Sequence, residues 1–342
     1  MLEELGEVIH GSEKEREAIR VLREKFGGFE TKLHTVATKE WVIRHQRVLV
    51  NGRKVGRFAV LPYTKGSAKG KVGREVLALP FPDHPFKVKD YYRIALDQGY
   101  EALLLYEDKA RRIAVPDPKI PAISLPFKPE KGDEVEVEVE SELRDSSSYN
   151  LEVIIRDGKE FFLVGAHVDH WLSGYHDNLL AVNLLLNFDV ELRNHGLKLA
   201  FFSSEEGPRC CTGSMQFPKH DIAFMVSLDA LYPNRVVFST IPELWWLSRH
   251  FRLKRVEMPS PFSDSFPFLL SGVPSVLLYN DDLMPFYHSD VDLPDPRDSE
   301  FAEGVKAGLK AMLRELDEKG VKDLRWTRVV PDYVNLTTQF SY

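Results

Sequence analysis

Cysteine is nearly absent from this chain of 342 residues: there are two, Cys210 and Cys211, and they are neighbours. That scarcity excludes a disulfide framework and any Cys-x-x-Cys zinc ribbon, and the pair reads as idle thiols rather than redox groups. Glutamine is confined to Gln46, Gln98, Gln216 and Gln339 while Glu, Lys and Arg abound, a balance that hints at a thermophile. No apolar window approaches the length of a membrane span, and Met1-Leu-Glu-Glu-Leu5 is acidic where a secretory leader is basic. The expectation is a cytoplasmic protein with no membrane partner. Net charge is −7 and no stretch concentrates Lys and Arg, so nucleic acid is not an expected partner either. With 43% apolar and 28% charged residues the chain has a globular composition, at a length that suggests two domains.

Ser12-x-x-Glu15 is a capping box, and Ala18, Ile19, Val21, Leu22 and Phe26 follow at helical spacing until Gly27-Gly28. From residue 46, apolar runs flank the hairpin signal Asn51-Gly52, and β structure is expected to begin there. Val76–Leu79, Ala102–Tyr106 and Ile123–Leu125 read as strands, with a helix over Tyr92–Gln98 and a period-two strand at Val135, Val137 and Val139. We expect a small inserted α/β module over residues 46–129, and a main domain formed by 1–45 and 130–342. After Ser146 the pattern becomes continuous apolar runs: Leu151–Ile155, Phe161–Val164, Leu199–Phe202, Ala223–Val226 and Ser275–Leu278. Runs apolar on both faces suit strands buried under helices, here Leu179–Leu192 and Phe301–Leu316. The expected fold is α/β, with a mostly parallel central sheet flanked by helices.

Ligands of such sheets bind beyond the carboxyl ends of the strands, and that is where His167, Glu205, Glu206 and Asp229 fall. His167-Val-Asp169 puts both side chains on one face, so Asp169 can accept the second imidazole N–H and fix the tautomer. Taken alone it is also an ordinary surface pair. Asp177-Asn178 opens the next helix, where the plain alternative is an N-cap. Glu205 and Glu206 are adjacent carboxylates after a buried strand and repel unless a cation or proton neutralises them. His288 precedes Ser289-Asp290-Val-Asp292, an acidic segment able to orient an imidazole. Jointly these residues suit a pair of divalent metals with one Glu left free as a base.

Gly165-Ala-His-Val-Asp169, Asp177-Asn178, Glu205-Glu206-Gly207, Ser227-Leu-Asp229, Ser263-Asp264 with Gly272-Val-Pro274, and Tyr287-His-Ser289 with Asp292 resemble the co-catalytic zinc aminopeptidases. That is the family of bacterial leucyl aminopeptidase and glutamate carboxypeptidase, matched in order over residues 145–315. Residues 70–126 resemble the protease-associated domain that many members insert. The resemblance implies that Asp177 bridges two Zn²⁺ ions, with Co²⁺ or Mn²⁺ as substitutes. His167 and Asp229 would complete one site, and Glu206 and His288 the other. Glu205 would be the general base and Asp169 a second catalytic residue, orienting His167, on a peptide substrate with a free N-terminus. Ser265 stands where the family often has His after Ser-Asp, Leu179-Leu180 replace small residues, and Phe262 stands where some members place an oxyanion-stabilising Tyr. Stabilisation of the oxyanion then falls to the metals and to Tyr287. His170 and His176 read as pocket walls, and Trp245, Trp246, Phe262, Phe266 and Phe268 as core or as a side-chain pocket.

Other readings differ in what they leave unexplained. The related carboxypeptidases and deacylases insert a dimerisation domain between the later ligands, and the 59 positions from Asp229 to His288 are too few for one. Glutaminyl cyclisation uses the same sheet with one zinc. A non-haem iron triad of His167, Asp169 and His288 leaves Glu205, Glu206 and Asp229 without work. A dead scaffold of the same fold usually loses ligands, and none is lost.

Overall fold

The structure, a computed structural model, describes residues 2–321; Met1 and residues 322–342, the end of the expected main domain, lie outside the described residues. Along the chain come α1 (Glu13–Lys25), β1 (Glu30–Val50), β2 (Arg53–Lys54), β3 (Ala59–Val60), β4 (Gly66–Lys71), β5 (Val76–Pro80), α2 (Val88–Asp97), β6 (Ala102–Tyr106), β7 (Ala122–Leu125) and β8 (Glu134–Arg156). The second half holds β9 (Phe161–His167), α3 (Leu180–Leu185), β10 (Gly196–Phe202), α4 (Thr212–Gln216), β11 (Ile222–Leu228), β12 (Val236–Ser239), β13 (Leu253–Glu257), α5 (Phe266–Leu270), β14 (Ser275–Tyr279) and α6 (Asp298–Lys319).

The larger sheet runs β13-β12-β14-β11-β9-β10-β8-β1-β2, with β4 also paired to β8. Its centre, β14-β11-β9-β10, is parallel, and antiparallel strands flank it on both sides. Every residue of β9, β10 and β11 is buried, as the apolar runs require. One face packs on α1, α3 and α6 through Ile19, Leu22, Leu180, Leu309 and Met312; the other packs on Phe217 and Phe268, beside α4 and in α5. Each such side chain stabilises the fold by roughly 1.5–3 kcal/mol. Among the described residues no helix is long and apolar enough to cross a membrane.

β5, β6, β7 and β3 form a second sheet, order β3-β7-β6-β5, covered by α2 through Val88, Tyr92 and Ala95. Two expectations need correction. β structure begins at Glu30 rather than at residue 46, because β1 and β8 form a long antiparallel ribbon whose register runs from Glu30↔Ile154 to Val50↔Val135. Much of β1 is exposed, so no apolar alternation announces it; cross-strand pairs such as Arg144 with Glu40 and Arg44 with Glu142 lace the ribbon instead. The helix expected over 179–192 stops at Leu185. Asn187 and Asp189 favour non-helical backbone, and Phe188 and Val190 are buried from an irregular segment. β12 and β13 are short outer strands that the sequence did not reveal.

Candidate active site

β9 ends on His167, Asp229 follows β11 directly, and Glu205 and Glu206 follow β10 by three and four residues. Asp177 sits in the irregular turn Tyr175–Leu179 before α3, and the Asp177–Asn178 peptide is cis. His288 comes from the segment after β14. These residues converge. His167 Nε2 lies 3.4 Å from Asp177 Oδ1 and 3.3 Å from Asp229 Oδ1, and His288 Nε2 lies 3.3 Å from Asp177 Oδ2 and 2.8 Å from Glu206 Oε1.

The tautomers make this arrangement informative. His167 Nδ1 is 2.8 Å from the Asp169 carbonyl and His288 Nδ1 is 3.1 Å from the Arg112 carbonyl, acceptors that require the proton on Nδ1. A neutral ring then aims the bare lone pair of Nε2 at carboxylate oxygens, a repulsive contact unless a cation lies between. Asp177 Oδ1 is buried without a hydrogen-bond partner. Two ligands on one tetrahedral zinc at 2.0–2.2 Å stand roughly 3.4 Å apart, which three of the four contacts match. Donor atoms of His167, Asp177 and Asp229, and of Asp177, Glu206 and His288, all lie within 4.8 Å of one another. The residues fit two cations sharing Asp177.

Without a metal ion, the cation between ring and carboxylate is a proton. Burial alone would lower His167 and His288, but the carboxylates, Asp229 foremost for His167 and Glu206 foremost for His288, hold both well up, His288 at about 10. A field that retains protons so strongly retains metal ions too. Burial pushes the Glu205 and Asp169 carboxyls well above their usual range, and Asp264 up to about 7.

The loop carrying the two glutamates is held through four backbone amides by three side chains. Ser203 N–H donates to Asn150 Oδ1, Ser204 N–H to Glu15, Glu205 N–H to Asp169 Oδ1 and Glu206 N–H to Asp169 Oδ2. Asp169 therefore acts differently from the expectation: its backbone carbonyl holds His167, and its carboxylate holds the glutamate loop. The sheet ladder ends at Phe202, leaving these amides without strand partners, and the buried carboxylate supplies one. Trp171 Nε1 donates to Glu206 Oε2 at 3.1 Å. Nothing in the sequence gives Glu15, Trp171 or Arg112 a role in the site. Glu15 looked like a helix cap, and the other two carried no pattern.

Further corrections concern neighbours. Asp292 accepts from the His176 ring and from the backbone of His176 and Asp177, rather than orienting His288. His176 also contacts Asp298, while His170 is tied to the Val168 and Gly6 carbonyls, so both are structural. Cys210 and Cys211 are joined to each other as a vicinal disulfide, not idle thiols, and both sulfurs lie against Glu205 Oε1 at 3.1 and 3.2 Å. Phe266 and Phe268 are core, Phe262 and Trp245 are exposed, and Trp246 is covered by Lys319 and Arg249. Tyr287 stacks on the His288 ring with centroids 3.6 Å apart.

A structure described as a peptidase M28 precursor from Shewanella amazonensis SB2B superposes with a TM-score of 0.69 at 15% identity, over 92% of this chain and 90% of that one. The fold is shared. A zinc aminopeptidase from Bacillus subtilis gives 0.64 at 14% identity over 90% and 91%, and an aminopeptidase from Aneurinibacillus sp. strain AM-1 gives 0.58 at 16% over 90% and 91%. No family model matches the chain, and no curated protein does. At these identities the likeness speaks for the mixed α/β architecture, with its central parallel strands and flanking helices.

Proposed function

We propose that the chain is a metal-dependent exopeptidase that releases residues from the free amino end of peptides, using two Zn²⁺ ions for which Co²⁺ or Mn²⁺ can substitute. The observation that carries this reading is the convergence of two Nε2 atoms on opposite oxygens of one buried carboxylate, Asp177. His167, Asp177 and Asp229 would hold one ion, and Asp177, Glu206 and His288 the other. When bound, such ions lower the pKa of a water and polarise a carbonyl. Glu205 takes the proton of the attacking water and delivers it to the leaving nitrogen, a role that suits a carboxyl whose proton affinity burial has raised. Asp169 holds the amides of Glu205 and Glu206, keeping base and ligand in register. The neighbours described as aminopeptidases favour the amino end, and a peptide is the partner. On this reading residues 1–45 and 130–342 form the catalytic body and residues 46–129 a protease-associated-like insert.

Metal analysis of the purified protein, with a panel of free and N-blocked aminoacyl reporters, tests the proposal. About two zinc ions per chain and cleavage of the free reporters alone are expected. Metal-free protein with full activity, or equal cleavage of blocked reporters, would overturn it. One ion per chain with release of cyclised glutamine would transfer the site to glutaminyl cyclisation.

A further inference from the structure

The connection between β6 and β7, part of the inserted segment, reaches the loop that carries His288. Ala110 and Arg112 pair with it as a short antiparallel bridge: Asp290 N–H donates to the Ala110 carbonyl at 3.1 Å and Arg112 N–H donates to the His288 carbonyl at 2.9 Å. The Arg112 carbonyl then accepts His288 Nδ1–H. Between them the buried Arg111 guanidinium donates to the carbonyls of Met284 at 2.9 Å and Tyr287 at 3.0 Å, and also to that of Pro285, while its Nε is paired with Glu107 at 2.6 Å. The turn itself is closed by the Leu283 and Phe286 carbonyls, and the three that Arg111 meets lie beside them, where a helix end leaves acceptors to be satisfied from elsewhere. His288 itself has φ of +54°, a left-handed conformation that a side-chain-bearing residue adopts only when its surroundings hold it there.

We propose that this part of the insert is a working arm of the metal centre: Arg111 and Arg112 are positioning residues that hold the His288 ring with Nε2 facing Asp177 and Glu206. The second cation therefore binds tightly only while the arm is docked. The inference rests on the reading of His288 as a ligand. Arg111 acts through the turn, by satisfying three carbonyls with one rigid, permanently charged fork that Lys cannot reproduce. Arg112 acts through its backbone carbonyl, and its own side chain is anchored to Glu7 at 2.5 Å and to the Val60 carbonyl at 2.8 Å. Linkage makes the coupling reciprocal, so the cation that needs the arm also clamps it.

The test is a zinc titration of the full-length metal-free protein against a competing chelator, combined with hydrogen exchange. Wild type should show two sites, and the amides of residues 110–112 and 288–290 should gain protection with the second equivalent. Arg111→Met paired with Glu107→Gln, which removes both charges together, should weaken one site about 10- to 100-fold and leave the other within about threefold. Arg111→Lys should fall between. A folded double variant with both affinities unchanged would overturn the proposal. If the double variant does not fold, wild-type exchange decides: no protection of residues 110–112 on the second equivalent overturns it, and protection supports it. Wild type that binds no zinc would instead overturn the underlying two-metal reading, a result distinct from either.

Discussion

Glu205 is buried, sits beside the proposed ligands without belonging to either shared cluster around Asp177, and faces both cysteine sulfurs. Glu205→Gln keeps the shape and the backbone amide held by Asp169 but cannot take a proton. Turnover of an aminoacyl reporter should fall by about 10²- to 10⁴-fold while zinc content stays near wild type; ordinary kcat in a protein with full metal would remove Glu205 as the base. At this scale the residues that converge were legible because His167, Glu205, Glu206 and Asp229 follow buried strands and Asp177 precedes the next helix, where strand-end chemistry lies; His288 comes from the irregular segment after β14. Their supports were not legible. Glu15 announces itself as a capping-box residue, and Ser12 does accept its N–H, yet its carboxylate goes to Gly11 and to Ser204, 189 residues away. The carbonyls of Asp169 and Arg112 that set both tautomers belong to the backbone, which no residue type advertises.

Among the elements, α4 must approach the end of β10 closely for the glutamate loop to form. Asn150 spans the gap, accepting from Ser203 N–H and donating to the Gly213 carbonyl, and a Cβ on Gly213 would stand 2.1 Å from the Ser203 carbonyl oxygen. Backbone has to move to admit a methyl group there. Gly213→Ala should therefore cost on the order of 1–3 kcal/mol in urea unfolding and lower kcat/KM by more than that stability loss explains, because the displaced atoms lie two residues before Glu205. A variant with wild-type stability and activity would show that the loop tolerates the shift. The buried strands β9, β10 and β11 were readable from uninterrupted apolar runs. The first half of β1 was not, since a ribbon exposed over much of its length owes its form to pairing with β8, and that partner lies about a hundred residues on.

Over the whole molecule, stability should depend on pH in two separable ways. His10 is fully buried, and desolvation lowers its pKa from 6.5 to about 4. The folded state thus binds fewer protons than the unfolded chain between those values. Its contribution is present above pH 6.5 and is lost as pH falls towards 4, at most about 3 kcal/mol. His10→Asn should flatten the wild-type stability curve in that window, and an unchanged slope in urea melts at pH 4.5 and 6.5 would refute the assignment. The site works in the opposite sense. Without cations, Glu205, Asp169 and Asp264 have raised pKa values in the folded state, as do His167 and His288. A raised pKa means stability present at low pH and lost as pH rises through the folded value, and Asp177, held below its usual range, changes only at more acidic pH. The two divalent cations of the proposed function would replace those protons and remove the dependence. Saturating zinc should therefore raise Tm by at least about 5 °C at pH 8, and by distinctly less at pH 5.5. Equal gains at both values, measured by calorimetry on metal-free protein with and without zinc, would mean that the buried carboxylates are neutralised by something other than metal.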